Sequence, residues 1–479
     1  MIFLFMSFLF AGLAQFLIRS SAAKKGLSIG LFILQLSIIL SLFEATPKQV
    51  IHVGAWPHFA GITWYADALS ISFSCLVVLL FLPAYLSTFS KLSNFQQALL
   101  HFFAAGLVGA FFTSDLFNLF VMFEIVVISS FTFFAQSNAL FRSKLFVWAS
   151  VIGSAFYLVA VALIYKSFGT VSMADLGVYL TSNSGPQVEL LFWLMGFVFL
   201  LKAGLWPLCF WMPSSYPSLP ATSLAFFGVL SSKLGVYAFA RWTILSGWQP
   251  LENSAFVFEV FCILGLLLLC AGAFAAKDLR KSLAYWAMSH TCLSLLFLCL
   301  LSAQAFEGFL MYVFQDVIVM AGLFYFCSEF EKAGSPKQIF NRQPILSLFF
   351  LLLCLSASGF PLTSGFWAKI LLLQASRSVP LIFFVTLLSA ILFLGLSIHY
   401  WNRYFVGPQK ELCSERKISS SLSMALCTGF AIACIFVFTR FHEKIHVESK
   451  ASFSTNEYIE RILESSSGVT RFSGMDSAR

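Results

Sequence analysis

Long apolar runs follow one another along most of this chain, and they constrain its fold more than any other feature. Of its 479 residues, 59% are hydrophobic and only 10% are charged. Such a composition cannot cover a soluble protein of this size with polar surface. A helix that crosses the hydrocarbon of a bilayer needs about 20 mostly apolar residues. The sequence therefore predicts an all-α polytopic protein of the cell (inner) membrane, in contact with the lipid bilayer.

Turn residues and charges divide the chain into about fourteen membrane-spanning segments. These segments begin near residues 1, 26, 66, 97, 115, 144, 189, 217, 255, 282, 305, 344, 379 and 418. The residues that follow position 440 are polar, and we expect them to form a solvent-exposed tail in which Glu457 to Glu464 forms a short helix.

Loop lysines and arginines predict the orientation, because short cytoplasmic loops are rich in them. The even-numbered connections contain only Lys48, Lys166, Arg241 and Arg377. The odd-numbered connections contain Arg19, Lys24, Lys25, Lys91, Arg142, Lys144, Lys277, Arg280, Lys281, Lys332, Lys337, Arg342, Arg403, Lys410, Arg416 and Lys417. We therefore expect both termini outside, on the periplasmic side.

Two of the predicted spans contain helix breakers close to a lysine. Pro207 follows Lys202, and Gly359 and Pro361 precede Lys369. Proline removes a backbone donor and obstructs the preceding turn, and transporters place such discontinuous helices beside charged sites. We expect helices 7 and 12 to be broken, although simple packing kinks are the alternative.

A few ionisable residues lie deep inside the apolar runs, namely Glu124, Lys202, Lys233 and Lys369. A charge in hydrocarbon costs about 3 kcal/mol or more unless it finds a partner, water or neutrality. Lys202 is the natural partner of Glu124, and their separation would control whether the lysine holds its proton. A static interhelical ion pair is the alternative.

The same composition argues against several other kinds of site. The basic residues are scattered through short connections, so a nucleic-acid partner is not expected despite the net charge of +8. The eleven cysteines show no metal-ligand spacing. No dinucleotide or P-loop glycine pattern occurs, so we expect neither a cofactor nor a metal. Asp67 and Asp278 stand at helix starts and are expected to cap them.

Five motifs in order resemble the proton-translocating antiporter-like family, which comprises Mrp cation/proton antiporter subunits and the antiporter-like subunits of respiratory complex I and membrane hydrogenases. The motifs are TSDLFNLFVMFEI (113–125), LLKAGLWPLCFWMPSSYPSLPATSLAF (200–226), SSKLGVYAFAR (231–241), KDLRKSLAYWAMSH (277–290) and SASGFPLTSGFWAKILLL (356–373). Within the family, VGAWPHFAGITWYADALS (53–70) and QDVIVMAGLF (315–324) are most similar to the D-type subunits of the Mrp antiporters.

This resemblance implies fourteen helices with two inverted five-helix repeats. The corresponding division is an N-terminal part (1–96), a first repeat (97–250), a second repeat (251–405), helix 14 (406–440) and the polar tail (441–479). It also implies that Glu124, Lys202, Lys233 and Lys369 carry protons, with His290 and Asp316 as candidate relays. Both candidates have a structural alternative as interhelical hydrogen-bonding groups.

The chain departs from the family pattern in helix 11, where Gln315 and Met320 replace a histidine and a lysine. The leading hypothesis is a proton-translocating subunit of a multisubunit Na⁺/proton antiporter, which is an ion transporter and not an enzyme, with other membrane subunits as partners. One alternative is a proton-pumping subunit of an NADH:quinone oxidoreductase or membrane hydrogenase. The second alternative, suggested by the departures in helix 11, is a non-conducting scaffold subunit.

Overall fold

A computed structural model describes residues 1–18, 20–44, 49–58, 61–88, 92–135, 144–183, 185–333, 344–405 and 421–473. The N-terminal half contains helices α1 (Ile2–Leu17), α2 (Ser21–Glu44), α3 (Ala68–Thr88), α4 (Asn94–Phe112), α5 (Leu116–Ala135), α6 (Lys144–Phe168), α7 (Met173–Ser182), α8 (Pro186–Ala203), α9 (Trp211–Ser215), α10 (Ala221–Ser223) and α11 (Val229–Leu245). The C-terminal half contains α12 (Gln249–Asn253), α13 (Ala255–Ala275), α14 (Leu279–Leu296), α15 (Ala303–Ala333), α16 (Pro344–Ser358), α17 (Ser364–Ala375), α18 (Pro380–Phe405), α19 (Ser421–Phe453) and α20 (Thr455–Ser473).

The membrane-spanning architecture predicted from hydropathy is confirmed. Within the described residues, eleven helical segments are long and apolar enough to cross a membrane, and three shorter apolar helices join them, Ile2–Leu17, Pro344–Ser358 and Leu422–Cys434. The buried core runs continuously through both halves of the chain. The described part of the chain is therefore an all-helical bundle apart from one small hairpin.

Both predicted helix breaks are present. The first span stops at the end of α8, where Gly204 adopts φ +75°, and it resumes as a short turn before α9. The second span stops at the end of α16, where Gly359 has φ +82°. Glycine accepts this left-handed conformation without steric cost. Each break places the end of one helix segment inside the bundle, beside Lys202 in the first case and Lys369 in the second.

A third irregularity was not predicted from the sequence. Between α10 and α11 the helix widens into a π-helical turn, Leu224–Gly228. Such turns occur frequently at functional sites, and this one lies one turn before Lys233. The Tyr216 hydroxyl donates to the Gly228 carbonyl at 2.7 Å, which satisfies a backbone group in the widened turn.

A cap of short elements covers one end of the bundle. Strands β1 (Gln49–His52) and β2 (Thr63–Ala66) pair antiparallel there. The last helix, α20, contacts β1, α7 and α11. Its Tyr458 ring lies edge-on to Tyr65 with centroids 4.9 Å apart. The N-terminus lies at this end too, since Phe5 packs on Trp64.

Of the tail predicted for residues 441–479, the short helix expected at Glu457 to Glu464 is present within α20, but the expected solvent exposure is wrong within the described residues. Helix α19 continues to Phe453, and α20 buries Tyr458, Ile459 and Ile462. Their spacing places them on one face of a helix, so α20 is amphipathic and docks its apolar stripe on the cap. The prediction anticipated a helix here but weighed overall polarity, and so it missed the apolar face that docks.

Arg241 was predicted to lie in a connection, which is also wrong. It lies inside α11 with only 3% of its surface exposed, and its guanidinium binds the Asp67 carboxylate through two hydrogen bonds of 2.8 and 2.7 Å. This bidentate pairing allows a charge to be buried. Nine of the other basic residues used to predict orientation lie outside the described residues: Arg19, Lys48, Lys91, Arg142, Lys337, Arg342, Lys410, Arg416 and Lys417.

The two predicted helix caps are confirmed. The Ser70 amide donates to the Asp67 carboxylate at 2.9 Å, at the start of α3. The Arg280 amide donates to the Asp278 carboxylate at 3.3 Å, at the start of α14. Asp67 therefore has two roles, since it caps a helix and also neutralises Arg241.

Candidate functional site

Lys202 occupies the last turn of α8, immediately before the first helix break. Its Nζ atom is buried and has no hydrogen-bond partner among the described residues. It lies 5.2 Å from the centroid of the Phe123 ring, a distance at which an ammonium interacts with aromatic π-electrons. The break thus leaves a lysine whose charge is only weakly compensated by protein groups.

Glu124 lies next to Phe123 on α5, but it does not pair with Lys202 in this structure. No ion pair joins the two side chains within the described residues, where the Glu124 carboxylate accepts a hydrogen bond from the Ser154 hydroxyl of α6. A carboxylate that is partly removed from water is stabilised by such a donor. The structure therefore shows the two charges in the separated arrangement, with Ser154 fixing the carboxylate.

A small cavity of about 30 Å³ adjoins Lys202. Three serines, Ser130, Ser150 and Ser231, lie in its wall among apolar side chains. A water molecule needs about 10–15 Å³ and two or more polar partners. The cavity therefore has the volume and the hydroxyl groups to hold one or two waters beside the unpartnered ammonium.

Lys233 has a direct partner that the sequence did not reveal. Its Nζ atom lies 2.7 Å from Oδ2 of Asp316 on α15 and donates to the Thr291 hydroxyl of α14 at 2.9 Å. Lys233 and Asp316 are 2% and 1% exposed, so this ion pair is fully buried. Three helices therefore meet at one charged contact near the centre of the bundle.

His290 extends this contact into a network. Its Nδ1 atom lies 2.5 Å from the Tyr312 hydroxyl and 3.5 Å from Oδ1 of Asp316. Tyr312 and Asp316 are four residues apart on α15, so they lie on the same face of that helix. We call Lys233, Asp316, His290 and Tyr312 the central cluster. It brings together an ammonium, a carboxylate, an imidazole and a phenol, all of which exchange protons.

Lys369 is held by the second helix break. Its Nζ atom donates at 2.7 Å to the carbonyl of Ser358, the last residue of α16. That carbonyl is one of the acceptors that a helix end leaves without an internal partner. A Cβ atom on the neighbouring Gly359 would lie only 2.7 Å from Lys369 Cδ, so the lysine stem depends on this glycine for space.

The two residues that depart from the family pattern are both buried on α15. Gln315 donates a long hydrogen bond of 3.4 Å to the Ser356 carbonyl. Met320 lines a cavity of about 10 Å³ that Lys233, Thr291 and Asp316 also line. Neither side chain titrates, so the relay candidates of α15 and α14 are Asp316, Tyr312 and His290.

The structure places the predicted site residues in three groups. Glu124 and Lys202 form the first, Lys233 with His290 and Asp316 the second, and Lys369 with Gly359 the third. Sequence reasoning missed Ser154 and Tyr312, whose contacts arise from packing between distant segments. For Tyr312 the four-residue spacing from Asp316 was an available signal. Among the described residues, no group of three or more His, Cys, Asp or Glu side chains is arranged to hold a metal ion.

These features define the class of protein as a polytopic membrane protein with charged groups inside its helical bundle, two of them beside helix breaks. The family model described as "NADH:quinone oxidoreductase/Mrp antiporter, TM" matches residues 113–395, and the chain belongs to that family. This range includes Glu124, all three buried lysines and the central cluster.

Individual relatives agree with this assignment. The chain is 27% identical over 455 residues to a protein of Alkalihalophilus pseudofirmus named as the D subunit of a Na(+)/H(+) antiporter, and the match covers 90% of this chain and 84% of that protein. Among solved structures, a chain of the Mrp complex from Dietzia sp. matches with a TM-score of 0.87 at 20% identity, covering 96% and 98% of the two chains. A chain of respiratory complex I from Thermus thermophilus matches with a TM-score of 0.80 at 21% identity, covering 96% and 99%. These two likenesses establish the fold.

Proposed function

We propose that this chain is the proton-translocating subunit of a multisubunit monovalent cation/proton antiporter, with Na⁺ as the favoured cation. The observation that carries the proposal is the set of titratable groups inside the bundle, namely the central cluster, Lys369, and Lys202, whose cavity is also lined by Ser231 and Leu234 of the helix that carries Lys233. Burying so many ionisable groups is costly in a membrane protein, and such groups mark ion pathways. The name of the Alkalihalophilus relative supports the choice of activity and cation.

In this mechanism Glu124 and Lys202 form the first step. Approach of a carboxylate stabilises the charged form of an ammonium, and withdrawal of the carboxylate favours release of the proton. Glu124 accepts a hydrogen bond from Ser154, and the Lys202 Nζ atom has no hydrogen-bond partner among the described residues, so this mechanism assigns the observed arrangement to proton release. The small serine-lined cavity offers the water that would accept the proton.

The central cluster forms the second step. A proton leaving Lys202 reaches Lys233 through water, and Asp316 keeps Lys233 charged until the pair opens. His290 contacts both the Tyr312 hydroxyl and the carboxylate of the pair, so it can pass a proton onward. Lys369 is the last group before the exit. In this proposal the path crosses both repeats, 97–250 and 251–405, that the family resemblance implies.

The chain works in this mechanism as one part of a larger assembly. The relatives are named as subunits or occur in complexes, so the partners are other membrane subunits of the same antiporter. We place both termini, and the cap that α20 completes, on the outer side of the cell membrane, following the bias of loop lysines and arginines.

A second candidate function is a non-conducting scaffold in such a complex. It is favoured by Gln315 and Met320, because the family pattern has titratable side chains at both positions. Replacing Gln315 with His and Met320 with Lys would then produce activity that the natural chain lacks. Full exchange by the natural chain would exclude the scaffold. Redox subunits that copurify with the complex would instead indicate the electron-driven pump.

The decisive experiment uses the whole complex in membrane vesicles that carry an imposed pH gradient. Adding Na⁺ should collapse the gradient with the natural chain, and Lys202→Ala should abolish this collapse without preventing assembly. Lys166→Ala is the matched control, because Lys166 is an exposed lysine at the end of α6 and should leave exchange unchanged. Exchange at the natural rate in Lys202→Ala would refute the role of this lysine. K⁺ and Li⁺ in place of Na⁺ identify the cation.

A further inference from the structure

One fully buried phenylalanine contacts both the central cluster and the exit lysine. Phe393 of α18 has no exposed surface. Its ring stacks on the His290 imidazole, with centroids 4.2 Å apart and planes 17° from parallel. The Lys369 Nζ atom lies over the same ring, 4.7 Å from its centroid. Phe393 is thus the shared neighbour of two titratable groups on two different helices, α14 and α17.

The hydrogen bonds of these two groups lead away from each other. His290 contacts Tyr312 and Asp316, and Lys369 donates to the Ser358 carbonyl. Within the described residues, no hydrogen bond or ion pair joins Lys369 to His290. The polar path is therefore interrupted between them, and the side chain that both of them touch is an aromatic ring with no proton donor or acceptor of its own.

We propose that Phe393 is the gate between the central cluster and Lys369, and that it positions the lysine by holding its ammonium over the ring. This inference rests on the proposed function. An antiporter must not conduct protons freely, because an unbroken hydrogen-bonded path would dissipate the gradient it uses. With the ring in the observed place, protons stop at His290, and displacement of the ring admits the water that completes the path to Lys369.

The contact between the Lys369 ammonium and the Phe393 ring also explains how Phe393 can both block the path and position Lys369. An ammonium over an aromatic face is stabilised by about 0.5–2 kcal/mol, more when it is desolvated. Lys369 therefore holds the ring while it is charged and loosens it after giving up its proton. The Phe393 gate therefore stays closed while Lys369 is protonated and opens after Lys369 loses its proton.

The test measures passive proton leak in vesicles that contain the complex, driven by an imposed pH gradient in buffers that contain no alkali-metal cation. We expect Phe393→Ala to raise the leak about tenfold, which corresponds to about 1.4 kcal/mol. We expect Phe393→Val to give an intermediate rise and Phe393→Leu, which keeps most of the volume, to stay within about twofold of the natural chain. The valine variant keeps the test informative if the alanine variant does not assemble.

Two controls separate the gate from simple damage to the core. Phe309→Ala removes another fully buried ring, one that packs on Phe306 and Phe73, and it should not raise the leak. Adding Lys369→Met to Phe393→Ala should return the leak to the natural level, because the proton then lacks its exit group. Equal leaks in Phe393→Ala and Phe309→Ala, or a leak that survives Lys369→Met, would overturn the gate.

This leak needs only a proton path and no cation exchange, so it is measured independently of the Lys202→Ala experiment. If the proposed function is wrong, the Lys202→Ala variant will still exchange Na⁺ for protons. If the gate proposal is wrong, the Phe393 variants will leak protons at the same rate as the natural chain. The two failures are therefore distinguishable.

Discussion

The Lys233 ammonium is 2.7 Å from the Asp316 carboxylate, although 83 positions of sequence separate them and no water-exposed surface surrounds them. The two residues come from α11 and α15, so the pair also ties the two proposed repeats together. A buried pair of this kind must be satisfied on both sides, since the loss of one partner leaves a bare charge in a low-dielectric interior.

Removal of one member of this pair should therefore damage both stability and transport. Asp316→Asn leaves the Lys233 ammonium without its counter-charge, and breaking a buried pair costs about 3–5 kcal/mol. We expect a lower melting temperature of the purified complex and no cation-dependent collapse of the pH gradient. The double variant Lys233→Met with Asp316→Leu should recover most of the stability, since it removes both charges, while exchange stays absent. Exchange in the double variant would contradict a role for the pair in proton transfer.

Glu124 offers a cleaner separation of transport from folding. Glu124→Gln keeps the shape of the side chain and an oxygen that accepts the Ser154 hydrogen bond, but it removes the negative charge. We expect assembly to be normal and exchange in vesicles to fall at least about tenfold, about 1.4 kcal/mol in the transport barrier. Glu252→Gln, at an exposed position of α12, is the matched control and should exchange normally. Normal exchange by Glu124→Gln would remove this carboxylate from the mechanism.

The break at Gly359 can be tested through its backbone. Gly359→Ala places a Cβ atom 2.7 Å from Lys369 Cδ and forces a non-glycine residue into the left-handed region, which costs about 1–2 kcal/mol. We expect slower exchange and reduced thermal stability, because the lysine must leave the Ser358 carbonyl. Gly30→Ala in α2 is the control, since a Cβ there meets nothing within 4 Å. That change should be neutral or slightly stabilising. Equal effects of the two substitutions would argue against the close packing of Lys369.

The cap should respond to acid through His52, which lies outside the membrane-spanning segments. Partial burial lowers the pKa of His52 from its ordinary value of 6.5, and the nearby charge of His58 lowers it further by a smaller amount. A histidine with a lowered folded pKa contributes its full stability above its unfolded pKa and loses it as the pH falls through the lower folded value. The His52 Nε2 atom lies 3.0 Å from the Ser465 hydroxyl of α20. Docking of α20 should therefore be intact at pH 8 and weaker at pH 5.

Hydrogen exchange of residues 455–465, corrected for intrinsic rates, measures this docking. We expect protection to fall between pH 8 and pH 5 in the natural chain. His52→Gln keeps a hydrogen-bonding side chain that does not titrate, so its protection should be the same at both pH values. An acid-induced loss of protection that persists in His52→Gln would assign the effect to another group.

The membrane spans and the two helix breaks followed from local information. Apolar runs bounded by turn residues define a span, and Pro207 or Gly359 with Pro361 interrupts a helix whatever surrounds it. The burial of Lys202, Lys233 and Lys369 followed from their places within those runs. These features depend on neighbours in sequence, so a single sequence carries them.

Partners across the bundle could not be predicted in the same way. Which carboxylate pairs with which lysine depends on how helices that are far apart in sequence pack together. In the structure Glu124 accepts a hydrogen bond from Ser154, and Asp316 forms the ion pair with Lys233. Phe393 gave no signal at all, because it is one of 59 phenylalanines and only its position between His290 and Lys369 distinguishes it. Arg241 was misplaced because hydropathy cannot register a partner such as Asp67.

The ion pair between Asp67 and Arg241 lies beside the contact between α20 and α11, the helix that carries Lys233. Arg241 lies eight residues after Lys233 on α11, and its guanidinium sits 5.1 Å from the centroid of the Tyr458 ring of α20. An antibody fragment that binds α20, or a protease that removes it, would therefore disturb the packing of Tyr458 against the Arg241 guanidinium. Agents directed at α20 would therefore act on the helix that carries Lys233 without having to enter the apolar part of the bundle.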